Sequence, residues 1–288
     1  MPDTVFPPPR SCDCHAHVIG PKSRFPLVSP RAYTPPDAPV EDLEAMLGGL
    51  GLERVVLVQT SIFGTDNGCM LDAMARLGGR ARGVAVPGDN ATGSLLDEMH
   101  GAGVRGIRVN LATLGLNDPG EARRGLGAVA DTCARNGWHL QIFTSAATIA
   151  ALKAEFAELP VPIVIDHFGL LSPASDGGPE EAAILRLLGS GKAWVKLSGT
   201  YRLDPPDLDG RMADLARRLH RANPERIVWG SDWPHTPAHP GGASADDAEL
   251  PFRELDDRAL LGTIREWFDE PRRWQEILVA NPARLYDF

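Results

Sequence analysis

Eight short β-rich runs recur along this chain, and between them lie stretches whose apolar residues are spaced three and four apart. The runs are Ser11 to Val18, Arg54 to Ser61, Arg82 to Pro87, Val104 to Leu111, His139 to Thr144, Pro162 to Gly169, Ala193 to Thr200 and Arg226 to Asp232. The clearest intervening helices are predicted over Leu95 to Ala102, Glu121 to Asn136, Ala146 to Glu158 and Pro206 to Ala222, with a last helix over Pro271 to Phe288. Strands that alternate with helices bury both kinds of element by pairing in parallel, with the helices as crossovers. Eight such units closing on themselves predict an α/β fold, a (β/α)8 TIM barrel.

A chain of 288 residues is long enough for two domains, but no change of composition marks a linker, so residues 1–288 are expected to form a single barrel domain. The Pro- and Gly-containing stretches Pro21 to Pro39 and Pro234 to Gly242 each follow a predicted strand. They are expected as long loops on the face where barrel enzymes work. With 38 acidic against 29 basic residues the net charge is -9, which argues against a nucleic-acid surface. An anionic ligand must therefore meet local positive charge. No run approaches the roughly 20 apolar residues of a membrane span, and the first thirty residues lack a signal-peptide core, so a soluble cytoplasmic protein is expected. Four cysteines are too few for a disulfide framework and are expected to be reduced thiols. No apolar stripe singles out a dimer interface, which leaves a homo-oligomer open.

The strongest chemical signal is Asp13-Cys14-His15-Ala16-His17 at the end of the first run. A period of two puts His15 and His17 on one face, and Cys12, Cys14 and Ala16 on the other. Two such histidines can bind a metal, donate hydrogen bonds to a carbonyl, or sit as satisfied core groups. In the sixth run His167 stands where the apolar Ile163-Val164-Ile165 gives way to Gly169, and the eighth run ends on Asp232. An isolated Asp after a strand is usually a cap or half of an ion pair. Here three strand ends, distant in sequence, converge at the C-terminal mouth of a barrel, which makes His15, His17, His167 and Asp232 the candidate catalytic group. His235 and His239 belong to the following loop; His235 is a candidate substrate contact.

These residues stand in a series of motifs: Cys14-His15-Ala16-His17-Val18-Ile19-Gly20-Pro21, Val58-Gln59-Thr60-Ser61, Gly103-Val104-Arg105-Gly106-Ile107-Arg108-Val109-Asn110, Asp166-His167-Phe168-Gly169, Lys196-Leu197-Ser198-Gly199 and Trp229-Gly230-Ser231-Asp232-Trp233-Pro234-His235. In that order and spacing the chain resembles the amidohydrolase superfamily, in particular its branch of 2-pyrone-4,6-dicarboxylate lactonases and related sugar-lactone and muconolactone hydrolases. Metal-dependent members of the superfamily place a bridging Lys or Glu after the fourth strand and a histidine after the fifth. Here those ends read Arg108 to Asn110 and Gln141 to Thr144, without either ligand, so a binuclear centre is not expected. The resemblance implies no cofactor; the alternative is one Zn on His15, His17, His167 and Asp232.

What the resemblance implies for mechanism is that Asp232 takes a proton from water while His15, His17 and His167 polarise the carbonyl of a small anionic lactone. A lactone is an activated ester, which makes catalysis without a metal chemically reasonable. Arg108 and Arg202 are expected to hold substrate carboxylates, because a guanidinium offers a planar fork of donors. Tyr33 and Ser61 match further substrate contacts. Where dicarboxylate lactonases carry more basic residues after the fourth strand, this chain has Leu111-Ala112-Thr113-Leu114, which leaves the particular lactone open. Two other readings remain open: a mononuclear zinc hydrolase or decarboxylase, and a non-catalytic small-carboxylate binding protein.

Overall fold

The computed structural model of the protein describes residues 5–111, 119–174, 177–203, 210–237 and 248–288. Strands β1 (Cys12–Ala16), β2 (Arg54–Val58), β3 (Ala81–Ala85), β4 (Val104–Asn110), β5 (His139–Phe143), β6 (Ile163–Ile165), β7 (Ala193–Leu197) and β8 (Ile227–Trp229) lie in chain order in one sheet, each parallel to the next. The crossovers carry α1 (Val40–Leu50), α2 (Gly68–Leu77), α3 (Gly93–Gly101), α4 (Pro119–Asn136), the pair α5 (Ala146–Ala151) and α6 (Lys153–Glu158), α7 (Pro179–Gly189) and α8 (Arg211–Ala222). After β8 come α9 (Asp257–Trp267), α10 (Pro271–Gln275) and α11 (Asn281–Tyr286). This is the (β/α)8 barrel that the alternation of strand and helix predicts. Among the described residues no helix is long and apolar enough to cross a membrane.

Each helix buries one stripe against the sheet. In α8, Met212, Leu215, Ala216 and Leu219 follow the three- and four-residue spacing and are buried. At the start of α9 the Asp256 carboxylate accepts from the backbone N–H groups of Arg258 and Ala259, satisfying donors that a first turn leaves open. Two expected helices differ. The stretch expected over Ala146 to Glu158 breaks at Leu152, which leaves the helical conformation. The C-terminal helix widens into a π turn over Glu276–Ala280 just before α11, where Pro282 lacks the N–H that a regular helix requires. The beginning of the expected Pro206 helix, part of the loop expected to end at Gly242, and His239 lie outside the described residues.

Closure of the barrel positions the chemistry. Beyond the short β8, the Asp232 N–H donates to the His15 carbonyl at 2.8 Å and the His17 N–H donates to the Trp233 carbonyl at 2.9 Å, with Ala16 bridged in parallel to Trp233. The chain passes so close that a Cβ on Gly230 would stand 2.6 Å from the Cβ of His15. Asp13 ties the same seam, accepting from the Ser231 N–H at 3.0 Å and the Ser231 hydroxyl at 2.5 Å.

The expected alternation in β1 fails at one point. Cys12 and Cys14 do not face away from the histidines; they pack in the cluster of Val56, Val84, Val164, Trp194 and Tyr286 that fills the barrel, whereas Ala16 joins the outer cluster. A register irregularity between Asp13 and Ala16 accounts for this, since one bulged residue changes the face of everything after it. His15 and His17 thereby reach the interior above the cysteines.

Candidate active site

At the carboxyl ends of the strands lies a cavity of about 330 Å³, around which stand His17, Tyr33, Thr60, Ser61, Arg108, Asn110, Phe143, His167, Arg202, Asp232 and Thr236. His15 lies at its base, fully buried. Asp232 is the centre of the group. His17 Nε2, His15 Nε2 and His167 Nε2 lie 3.5, 3.6 and 4.0 Å from its Oδ1. Its other oxygen, Oδ2, accepts from the Tyr201 hydroxyl at 2.7 Å and from Arg202 Nε at 2.5 Å.

Backbone conformation aims these side chains. Asp232 has φ 66°, and His167 and Phe168 have φ 49° and 55°, in the left-handed region that residues other than glycine avoid. The expected sixth strand therefore ends at Ile165, and His167 begins a tight turn that carries its ring over the barrel mouth. Such conformations each cost on the order of 1–3 kcal/mol and gather where function needs a particular side-chain direction. Gly199, at φ 59°, allows close approach on the opposite side, since a Cβ there would lie 2.8 Å from His167 Nδ1.

Hydrogen bonds fix the rings. His17 Nδ1 is 2.7 Å from the Val58 carbonyl, which only accepts, so Nδ1 carries the proton and Nε2 of the neutral ring is an acceptor. His167 Nδ1 is 2.9 Å from Ser198 Oγ. Burial pushes the His167 pKa down to about 4 and that of His15 well below its ordinary value, so both rings are neutral at pH 7. Burial alone would raise the Asp232 carboxyl, but the Arg202 guanidinium beside it and the surrounding histidines hold it well below the usual range.

Beneath the histidines, Asp166 and Lys196 form a second buried pair at 3.5 Å, joined by Gln141. Two carboxylates thus face three cations, Arg108, Arg202 and Lys196, and this supplies the local positive charge that the acidic chain as a whole lacks. Arg108 is held by one bond, from Nη1 to the Gln59 carbonyl at 3.0 Å; its Nε has no hydrogen bond and lies 3.9 Å from Asp166 Oδ2.

The structure brings together His15, His17, His167, Asp232, Arg108, Arg202, Tyr33 and Ser61. It sets His235 apart. That ring is bonded to Asp257 Oδ1 at 2.9 Å behind Tyr201, on the wall of a separate surface groove, so the expected substrate contact is not in the cavity. Arg202 also differs from expectation, because its Nε is taken by Asp232 and its Nη2 by Thr236 Oγ1 at 2.7 Å. Sequence reasoning did not single out Tyr201, Lys196, Asp166 and Gln141. A lysine inside the strand Ala193-Trp194-Val195-Lys196-Leu197 was the available signal, since a buried ammonium requires a partner.

Known proteins match this arrangement along most of the chain. The family model described as Amidohydrolase matches residues 12–288. The 2-pyrone-4,6-dicarboxylate hydrolase of Comamonas testosteroni is 33% identical, over 97% of this chain and 90% of its own length. The 4-sulfomuconolactone hydrolase of Hydrogenophaga intermedia is 32% identical over 97% of this chain and 89% of its own. A Pseudomonas putida structure, solved as a candidate 2-pyrone-4,6-dicarboxylic acid hydrolase, superposes with a TM-score of 0.79 at 30% identity, covering 96% of this chain and 97% of that one. A barrel with histidines and an aspartate at its mouth, matched over nearly all its length, thus belongs to the amidohydrolase family.

Proposed function

We propose that the protein hydrolyses a small lactone bearing carboxylate groups, of the class of 2-pyrone-4,6-dicarboxylate, without a resident metal. One observation carries this reading: Asp232 Oδ1 and His17 Nε2, both acceptors, face each other across 3.5 Å, in the cavity where Arg108 offers a guanidinium. Two acceptors at that distance call for a donor between them, and a water molecule has one hydrogen for each. Asp232 takes a proton from this water as its oxygen adds to the lactone carbonyl carbon. His15 and His167 donate to the carbonyl oxygen as it gains negative charge. When the ring C–O bond breaks, the departing oxygen takes the proton back from Asp232, and the product is the open-chain acid. The role expected for His17, polarising the carbonyl, thus passes to the other two rings, because Val58 already takes its proton.

Arg108 binds a substrate carboxylate, with Tyr33, Ser61 and Asn110 beside it. Arg202 acts first on Asp232 and only through its exposed edge on substrate. The relatives act on 2-pyrone-4,6-dicarboxylate and 4-sulfomuconolactone, both anionic lactones, which accords with a cationic cavity. Four free, buried cysteines accord with a cytoplasmic location.

A specific observation favours a second reading. His15, His167 and Asp232 place one donor atom each within 4.8 Å of one another, the number of protein ligands that a catalytic zinc commonly takes. The donor set fits Zn²⁺, which when bound would acidify a water and polarise the carbonyl. The test is loss of the pyrone absorbance band on incubation with 2-pyrone-4,6-dicarboxylate, alongside a panel of anionic lactones, metal analysis of the same preparation and a chelator control. Turnover that survives chelation supports the metal-free reading; stoichiometric zinc lost together with activity replaces it with the second. No turnover of any lactone would overturn both.

A further inference from the structure

Lys196 lies below the cavity, fully buried, and no step above uses it. Its ammonium donates to Gln141 Oε1 at 2.7 Å, stands 3.5 Å from Asp166 Oδ1, and meets His15 Nδ1 at 3.4 Å. Gln141 is oriented by this contact: its oxygen is taken, so its amide N–H₂ is the donor to Asp166 Oδ2 at 3.1 Å. One network therefore runs from β7 through β5 to the end of β6, and its upper member is His15 on β1.

A neutral imidazole carries one proton, and its two positions have opposite consequences here. On Nδ1 the proton would face Asp166 Oδ1, 3.3 Å away, and Nε2 would turn a lone pair to the cavity. That lone pair would repel a carbonyl oxygen and, more strongly, an oxyanion. On Nε2 the proton points to the cavity, and Nδ1 accepts from Lys196. The hydrogen bonding favours the second arrangement, since Nδ1 is bonded to Lys196 Nζ while Asp166 Oδ1 has no hydrogen bond among the described residues. An ammonium has hydrogens to give and no acceptor, so the ring nitrogen it meets must be the acceptor.

We propose that Lys196 is a positioning residue: held by Gln141 and Asp166, it keeps His15 in the tautomer protonated on Nε2, so that the ring donates to the lactone carbonyl oxygen. It does for His15 what a buried carboxylate does for the histidine of a serine-protease triad, with the polarity reversed. The consequence for turnover rests on the hydrolytic reading; the tautomer itself does not.

The experiment is ¹⁵N NMR of the full chain labelled in histidine, with the His15 ring assigned against His15→Gln, together with kinetics on the lactone turned over by the wild type. The expected wild-type spectrum shows the proton on Nε2 of His15 and none on Nδ1; a proton on Nδ1 overturns the proposal. Lys196→Met is expected to move the proton to Nδ1 and lower kcat by about 100-fold with little change in KM, the loss typical of one oxyanion donor. In Lys196→Met/Asp166→Asn, the amide at position 166 restores a donor opposite Nδ1, so the Nε2 proton returns with about a tenfold recovery of kcat. A double variant no better than the single one would mark Lys196 as merely structural and overturn the proposal. Should Lys196→Met fail to fold, the wild-type tautomer and the charge-balanced double variant decide. Absence of lactone turnover in the wild type would remove the hydrolytic reading, while the spectrum of the same sample still decides the tautomer.

Discussion

Arg202 Nε stands 2.5 Å from Asp232 Oδ2, the oxygen that also accepts from Tyr201, and so leaves Oδ1 as the face that Asp232 turns to the three histidines. Arginine at this place governs the acid chemistry of the carboxylate, because burial pushes Asp232 up and the guanidinium more than offsets it. Removing the guanidinium leaves burial as the larger influence, so the carboxyl pKa rises. In Arg202→Met the acidic limb of kcat/KM against pH is expected to move to higher pH, with a fall in kcat of about 100-fold at pH 7. Tyr201→Phe, which removes one bond but no charge, is expected to move the limb less and in the opposite sense, because the hydroxyl supports the ionised form. An unshifted limb in Arg202→Met would assign Arg202 to substrate alone.

Asp232→Asn keeps the shape and the bonds to Arg202 and Tyr201 in reach but cannot take a proton. A fall in kcat of about 10³-fold, within the range for loss of a general base, is expected with KM changed only a few-fold. The check is steady-state kinetics with circular dichroism on the same sample. Retention of a tenth of the wild-type rate by a folded variant would take the base role away from Asp232, with His17 Nε2 the next acceptor beside the water.

The order of strands and helices was legible because each element declares its own periodicity, and the polar residues His15, His167 and Asp232 stand out where apolar strands end. What was not legible depends on backbone events that no spacing announces. One bulge in β1 brings Cys14 and His15 to the same interior, and a left-handed turn at His167 shortens β6 and re-aims the ring. Partner choice was hidden for the same reason. Arg202 is thirty positions before Asp232 in the chain, and only barrel closure shows that the nearest anion to this arginine is the aspartate rather than a ligand. Lys196 was readable as a lysine within an apolar strand, but its partners Asp166, Gln141 and His15 come from three other strands.

Arg108 differs from Arg202 in having its nearest carboxylate oxygen 3.9 Å away and an Nε without a hydrogen bond, while its side chain is buried beside the ring of Phe143. A buried guanidinium left in this state gains most when an anionic ligand arrives. Arg108→Met is expected to raise KM by about 10- to 100-fold, the value of one or two charge-assisted hydrogen bonds, and to lower kcat much less. Equal losses in kcat and kcat/KM would place its contact in the transition state instead.

His139 offers a test of the barrel floor that is independent of turnover. The ring lies on β5 against Tyr286, neither nitrogen has a hydrogen bond among the described residues, and burial, reinforced by the Lys196 charge, pushes its pKa down to about 3. Asp166 is the carboxylate that acts in the other direction. The folded ring thus stays neutral at pH values where the unfolded chain, with an ordinary value near 6.5, takes up a proton. Its contribution to stability is complete above about pH 6.5 and declines as the pH falls toward 3, at roughly 1.4 kcal/mol per pH unit. Between pH 7 and pH 4.5 the wild type is therefore expected to lose about 2–3 kcal/mol more unfolding free energy than His139→Gln, read from urea denaturation of both proteins at both pH values. Any constant cost of the substitution cancels in that comparison, so parallel losses in the two proteins would mean that His139 already titrates in the folded barrel.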